Sequence, residues 1–279
     1  MKTLSLFLVP FFMLFAGNKP VPAGAEIPSP STTVVAGDCA IPNTAFQAGE
    51  KVGFTVGYSV AGAFVPAGAG SFETTLIKLN GRSVYHITGT GRTLSSYEWA
   101  YKAKDTYETF IDVETFQPLQ FIRNINEGGY KKYEKVSFVK SANTAVTMEG
   151  NTYKVPPCVH DVVSSVFYAR NVDYNSLKRG DKVPFSIFLD NEVFNMYIRY
   201  MGKETINTKY GKFKTIRIQP LTIKGTIFEG GEKMVVWVTD DANHVPVRVE
   251  SPIIVGKVRI DMTSFEGLKS PMTALIKKN

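Results

Sequence analysis

A thiol, an imidazole and a carboxylate stand close together at Cys158, His160 and Asp161, in the run Pro-Cys-Val-His-Asp. These are the parts of a cysteine hydrolase. A triad, however, needs its base hydrogen-bonded to the nucleophile while the third group orients that base from its far side. Side chains this close in sequence diverge, and catalytic Cys and His are normally neighbours in space rather than along the chain. A second histidine would have to serve Cys158. His86 and His244 fall in strand and turn positions with nothing tying them to it. The chain has two cysteines. In an oxidising compartment the expected outcome is a Cys39–Cys158 disulfide. A reactive thiol at a helix N-terminus and a pair of buried free thiols are the alternatives. Asp161 is expected to cap a helix, and His160 to be an exposed or hydrogen-bonded linker residue.

Three other clusters invite chemistry and are read as structure. Asp240-Asp241-Ala242-Asn243-His244 offers oxygen and nitrogen ligands, but lacks the glycine and distal glutamate of a calcium loop and the further His or Cys that zinc wants. It reads as a turn, so no metal site is expected. Ala67-Gly68-Ala69-Gly70 has no following Gly-Lys-Ser/Thr and no helix, so it marks a bend or close backbone approach rather than a phosphate cradle. Lys131, Lys132 and Lys135 around Tyr130 and Tyr133 read as a solvated hairpin face. No Gly-x-Ser-x-Gly elbow is present. Neither a cofactor nor a catalytic residue is expected.

The elements that must position these residues follow a period of two. Val183, Phe185, Ile187 and Leu189 alternate with polar or outward residues, as do Phe194, Met196, Ile198 and Tyr200. Val245, Val247 and Val249, then Val258, Ile260 and Met262, repeat the pattern. Such alternation builds antiparallel strands with one apolar face. Asn80-Gly81 is the strongest hairpin signal. Gly-acid-Lys-apolar recurs at 49–52, 180–183 and 231–234 as a turn leading into a strand. About a dozen strands are predicted. Asp161–Asn171 predicts a helix, and Leu94–Ala103 a second, short one with Leu94, Tyr97 and Tyr101 at helical spacing.

Residues 1–25 combine Lys2, an apolar run from Leu4 to Phe15 and the small-x-small pattern Ala23-Gly24-Ala25. They read as a secretory signal peptide. Residues 26–38 read as a Pro/Ser-rich arm, 39–265 as one β-rich domain, and 266–279 as a C-terminal tail. No transmembrane segment is expected once the signal is removed. The formal charge of +7 becomes +5 when Lys2 and Lys19 leave. In an exported protein that balance suits anionic lipid headgroups or acidic glycans better than nucleic acid.

Several stretches resemble a family of exported bacterial proteins catalogued as domain of unknown function 3108. They are the Phe46-x-x-Gly49-Glu50 opening, the Asp161–helix–Arg170 element, GKFKTIRIQP at 211–220 and the closing hairpins at 236–262. The resemblance spans roughly Cys39 to Met262. It implies a β-rich envelope protein of Gram-negative bacteria, periplasmic and without established activity. It further implies a curved, incompletely closed barrel similar to periplasmic lipoprotein carriers. The sequence reading is therefore an all-β, mainly antiparallel fold with one or two short helices, non-enzymatic and exported. A lipid or other lipophilic ligand on an apolar concave face is the leading expectation, motivated by the 34 aromatics (19 Phe, 13 Tyr, 2 Trp). An assembly or scaffolding protein that binds an envelope protein or acidic glycan is the alternative. A hydrolase using Cys158 or His160/Asp161 is the second alternative.

Overall fold

The computed structural model describes residues 39–60, 63–222, 230–253 and 256–279. The signal-peptide and arm expectations, at 1–25 and 26–38, lie outside the described residues.

Two meanders build one sheet. The first is β1 (Lys51–Val60), β2 (Ala63–Leu79), β3 (Arg82–Thr93), β4 (Lys104–Asp112), β5 (Pro118–Glu127), β6 (Tyr130–Val139), β7 (Thr144–Thr147) and β8 (Thr152–Lys154). After β9 (Val159–His160) and helix α1 (Val162–Arg170) comes the second. It comprises β10 (Lys182–Leu189), β11 (Glu192–Asn207), β12 (Gly211–Pro220), β13 (Val235–Thr239), β14 (Pro246–Pro252) and β15 (Lys257–Glu266). β15 pairs antiparallel with β1, joining the two. The sheet order therefore runs β8 back to β1, then β15 back to β9. Its two ends, β8 and β9, are consecutive in the chain. The result is a partly closed barrel with its backbone seam between Lys154 and Val159.

Side chains bridge that seam. Phe188 of β10 packs on Tyr153 of β8 and Phe138 of β6, with ring centroids 5.5 and 6.4 Å away. Asp190, in the β10–β11 turn, accepts from Arg123 of β5 and from Lys132 of β6, the latter at 2.6 Å. Arg123, 1% exposed, also holds Glu134.

Turn chemistry matches the sequence signals. Asn80 and Gly81 both have positive φ, 49° and 83°, as a tight hairpin turn requires. Gly49, Gly180 and Gly231 have φ of 89°, 100° and 74° ahead of β1, β10 and β13. In β2, a Cβ on Gly68 or Gly70 would lie 2.9 Å from the Arg92 or Thr90 carbonyl oxygen. Close backbone approach explains that run.

Helix α1 lies against the concave face. Val162, Val163, Ser164, Ser165, Phe167 and Arg170 are buried, on more than one side of the helix. Phe167 meets Phe46 and Phe72 edge-on at 4.8 and 5.7 Å. The aromatics expected to line a cavity thus interdigitate with one another and with α1. No helix among the described residues is long and apolar enough to cross a membrane.

Two expectations need correction. Leu94–Ala103 forms a short 3-10 helix at Ser95–Tyr97 followed by turn residues 98–100, rather than an α-helix across the whole segment. Its tyrosine spacing serves tertiary contacts instead, with the Tyr101 ring lying on Gly128. Residues 266–279, read as a C-terminal tail, pack back onto the sheet. Leu275–Lys278 forms β16 and pairs with β12, and Ala274 N donates to Asp241 Oδ2 at 3.1 Å.

Candidate functional site

The Pro-Cys-Val-His-Asp run sits at the seam, and Cys158, His160 and Asp161 each have a structural partner or a closed environment. Cys39 and Cys158 form a disulfide, their Cα atoms 5.3 Å apart. Neither sulfur is a thiol nucleophile in this state. Asp161 is the N-cap of α1. Its Oδ1 accepts from Val163 N and Ser164 N, both at 2.8 Å, while its own N–H donates to Ser164 Oγ at 2.9 Å. This reciprocal box satisfies orphan donors of the first turn. The second oxygen, Oδ2, accepts from Thr109 Oγ1 at 2.6 Å. Burial raises the carboxyl above its ordinary value, against the opposing pull of Thr109 and the helix N–H groups.

His160 corrects the expectation of an exposed or hydrogen-bonded linker. It is 2% exposed in β9, its ring packs 4.8 Å from Tyr168, and Nδ1 has no partner among the described residues. Burial, aided by the nearby Lys140 charge, lowers its pKa to about 3, so the ring is neutral. Lys140 completes the cluster. Its Nζ donates to Val159 O at 3.2 Å and Gln117 Oε1 at 3.3 Å, and burial lowers its pKa to about 8. Gln117 in turn donates to Cys39 O at 3.0 Å. Asp161 does not orient His160 and Cys158 has no free thiol, so the three do not form a triad.

The other end of α1 carries a group that sequence reasoning left open. Arg170 is 2% exposed and makes a bidentate pair with Glu50: Nη1 to Oε1 at 2.5 Å and Nη2 to Oε2 at 2.9 Å. It also donates to Asn243 O at 3.0 Å and Ala45 O at 3.1 Å. Phe46 and Phe167 flank the guanidinium, their centroids 5.6 and 5.1 Å from Cζ. The Phe46-x-x-Gly49-Glu50 opening and the Asp161–Arg170 element are therefore two halves of one buried lock. A fork with every branch bonded holds a charge in low dielectric. The signal was present as two separate motifs.

The remaining histidines sit elsewhere. His86 Nε2 meets Glu108 Oε2 at 2.7 Å, with the ring stacked on Phe110. His244 Nδ1 donates to Arg170 O at 2.7 Å, and burial lowers its pKa. In the Asp240–His244 turn, Asp241 accepts from Thr239 Oγ1, Asn243 N and Ala274 N. Those oxygens hold the turn and the C-terminal segment.

A second acid–base cluster was missed. Asp105 (1% exposed) and Glu127 (4%) hydrogen-bond each other on inward positions of β4 and β5, and the Tyr101 hydroxyl also reaches Glu127. Two carboxyls can share that bond only when one keeps its proton. Burial first, then Asp105, pushes Glu127 up to about 8. Charged residues at inward strand positions were the available signal. Proton-sharing carboxyls can act as a general acid, but here the 94–103 segment covers them. The folded state keeps a proton that the unfolded chain releases near its ordinary value. Stability is therefore fullest below about 4.5 and falls as pH climbs through about 8. Glu127→Gln keeps a donor toward Asp105 and is expected to flatten this slope. Urea midpoints at pH 5 and pH 9 check it: wild type should lose a few kcal/mol relative to the variant across that range.

Residues 54–263 match the family described as "Protein of unknown function (DUF3108)". The chain belongs to that family. No curated protein matches the chain. Among solved structures it is similar to the beta-barrel-like protein of domain of unknown function DUF1849 from Brucella abortus. The TM-score is 0.51 at 8% identity, covering 80% of this chain and 99% of that one. This likeness agrees with the barrel-like fold. Weaker likenesses are to a candidate lipoprotein from Parabacteroides distasonis (TM-score 0.35, 12% identity, 81% and 99% covered) and a candidate exported protein with YmcC-like fold from Bacteroides fragilis (0.32, 12%, 80% and 97%).

Proposed function

We propose that this member of the family is an exported, non-enzymatic envelope protein that binds a lipid or other lipophilic molecule. Export is supported by the Cys39–Cys158 disulfide, which persists in oxidising compartments, and by the signal-like residues 1–25. The absence of chemistry is argued from the seam, where Cys158 and Asp161 are committed to structure and His160 is walled off. Lipid binding rests on one observation: the sheet wraps an apolar, aromatic concave face yet leaves its backbone ring unpaired between β8 and β9. Phe46 and α1 cover that face, so a ligand held there displaces part of this packing beside the seam. The test is solvent extraction and mass spectrometry of protein purified from its own envelope without detergent, where one lipophilic species near stoichiometry is expected.

A further inference from the structure

On the outer face of the sheet a row of cations crosses four strands. Arg92 of β3 stands directly opposite Lys104 of β4. The β4–β5 register, through Thr106↔Asn124 and the bridge Ala103↔Glu127, places Lys104 opposite Asn126, which is itself opposite Lys131 of β6. Arg92, Lys104, Asn126 and Lys131 are all exposed. Like charges facing one another across strands are unfavourable, and among the described residues none of these three cations has an ion-pair partner. The carboxylates nearby are engaged: Glu98 with Lys102, Glu108 with His86, and Glu134 with Arg123 and Lys132. The row adds nothing to fold stability that would explain it.

Exposed aromatics border it. Tyr133 is 53% exposed and lies two residues along β6 from Lys131, on the same face. Trp99, 82% exposed, lies on the segment joining Arg92's strand to Lys104's. Its Nε1 donates to Ser96 O at 3.0 Å, so the indole's polar edge is satisfied within its own segment. That segment is pinned to the sheet, with Gly128 N donating to Lys102 O at 2.9 Å and the Tyr101 ring lying on Gly128. Trp99 is thus presented on a supported shelf.

We infer that this outer face, built from Arg92, Lys104, Lys131 and Tyr133, with Trp99 on the adjoining connection, docks the protein on an anionic phospholipid bilayer. Unpaired cations meet lipid phosphates, and amphipathic Trp and Tyr rings settle at headgroup depth, a pairing that a purely ionic partner does not require. The inference rests on the reading of the protein as a lipid binder and names the surface from which it would exchange lipid. Each Lys or Arg near an anionic membrane strengthens binding about fivefold, so the three together give about 100-fold.

The test is co-sedimentation of the mature oxidised protein with vesicles of phosphatidylglycerol and phosphatidylethanolamine, and with phosphatidylcholine vesicles as the neutral control. Wild type should sediment with the anionic vesicles and be released by salt. The triple variant Arg92→Gln/Lys104→Gln/Lys131→Gln should bind about 100-fold more weakly. Lys212→Gln/Lys214→Gln/Lys277→Gln removes the same charge from another exposed face and should stay within a few-fold of wild type. In a Trp237→Phe background, Trp99 emission should shift to the blue on anionic vesicles. Equal loss in both triple variants, no sedimentation of wild type, or binding to a soluble acidic polysaccharide without vesicle binding overturns the inference. Lipid retained inside the purified protein is read independently, so either claim can fail without the other.

Discussion

Arg170→Met is expected to lower stability by about 3–5 kcal/mol, because it leaves the Glu50 carboxylate buried without its cation. Glu50 is 1% exposed, and both of its oxygens face Arg170. The same substitution strips the Ala45 and Asn243 carbonyls of donors, loosening the 39–50 segment and the β13–β14 turn together. For a domain of this size the cost corresponds to a fall of about 10 °C in Tm. Adding Glu50→Gln should restore part of it, since a neutral amide tolerates the apolar site better than a lone charge. Thermal or urea denaturation of the two single variants and the double variant measures the coupling. A single variant within about 1 kcal/mol of wild type contradicts the lock.

Opening the disulfide has an effect of similar size. Cys39 and Cys158 are 119 residues apart in sequence. Constraining a loop of that length in the unfolded chain contributes up to about 5 kcal/mol. Cys39→Ser/Cys158→Ser is therefore expected to destabilise the fold by about 3–5 kcal/mol. The loss should begin locally, because Cys39 O holds Gln117 and Gln117 holds Lys140 over the seam. Hydrogen exchange should rise first at β9 and the N-terminal turn of α1. A melt unchanged by reductant in wild type contradicts this account.

Much of the fold could be read locally. Strand alternation needs only neighbouring residues, as in Val258, Ile260 and Met262, all buried in β15. The cap at Asp161 is likewise decided within four residues. What stayed hidden is non-local. Nothing along the chain says that Lys51 faces Glu266, the pairing that turns two meanders into one wrap. Nor does spacing place Arg170 against Glu50, 120 residues away. His160 was misjudged because polarity suggests exposure, whereas Tyr168 and the seam bury it. The acid pair Asp105–Glu127 escaped for the opposite reason. Strand alternation places both inward, but their meeting depends on the register between β4 and β5.

The central claim is that an exported protein with no committed chemistry binds a lipophilic molecule on a face that its sheet leaves incompletely closed. Native mass spectrometry of the mature, oxidised protein, taken from its own envelope without detergent, addresses it most directly. The account predicts a bound species of lipid mass on a substantial fraction of molecules, removed by organic extraction and regained on exposure to the extracted lipid. A bare-chain mass before extraction and after re-exposure contradicts it.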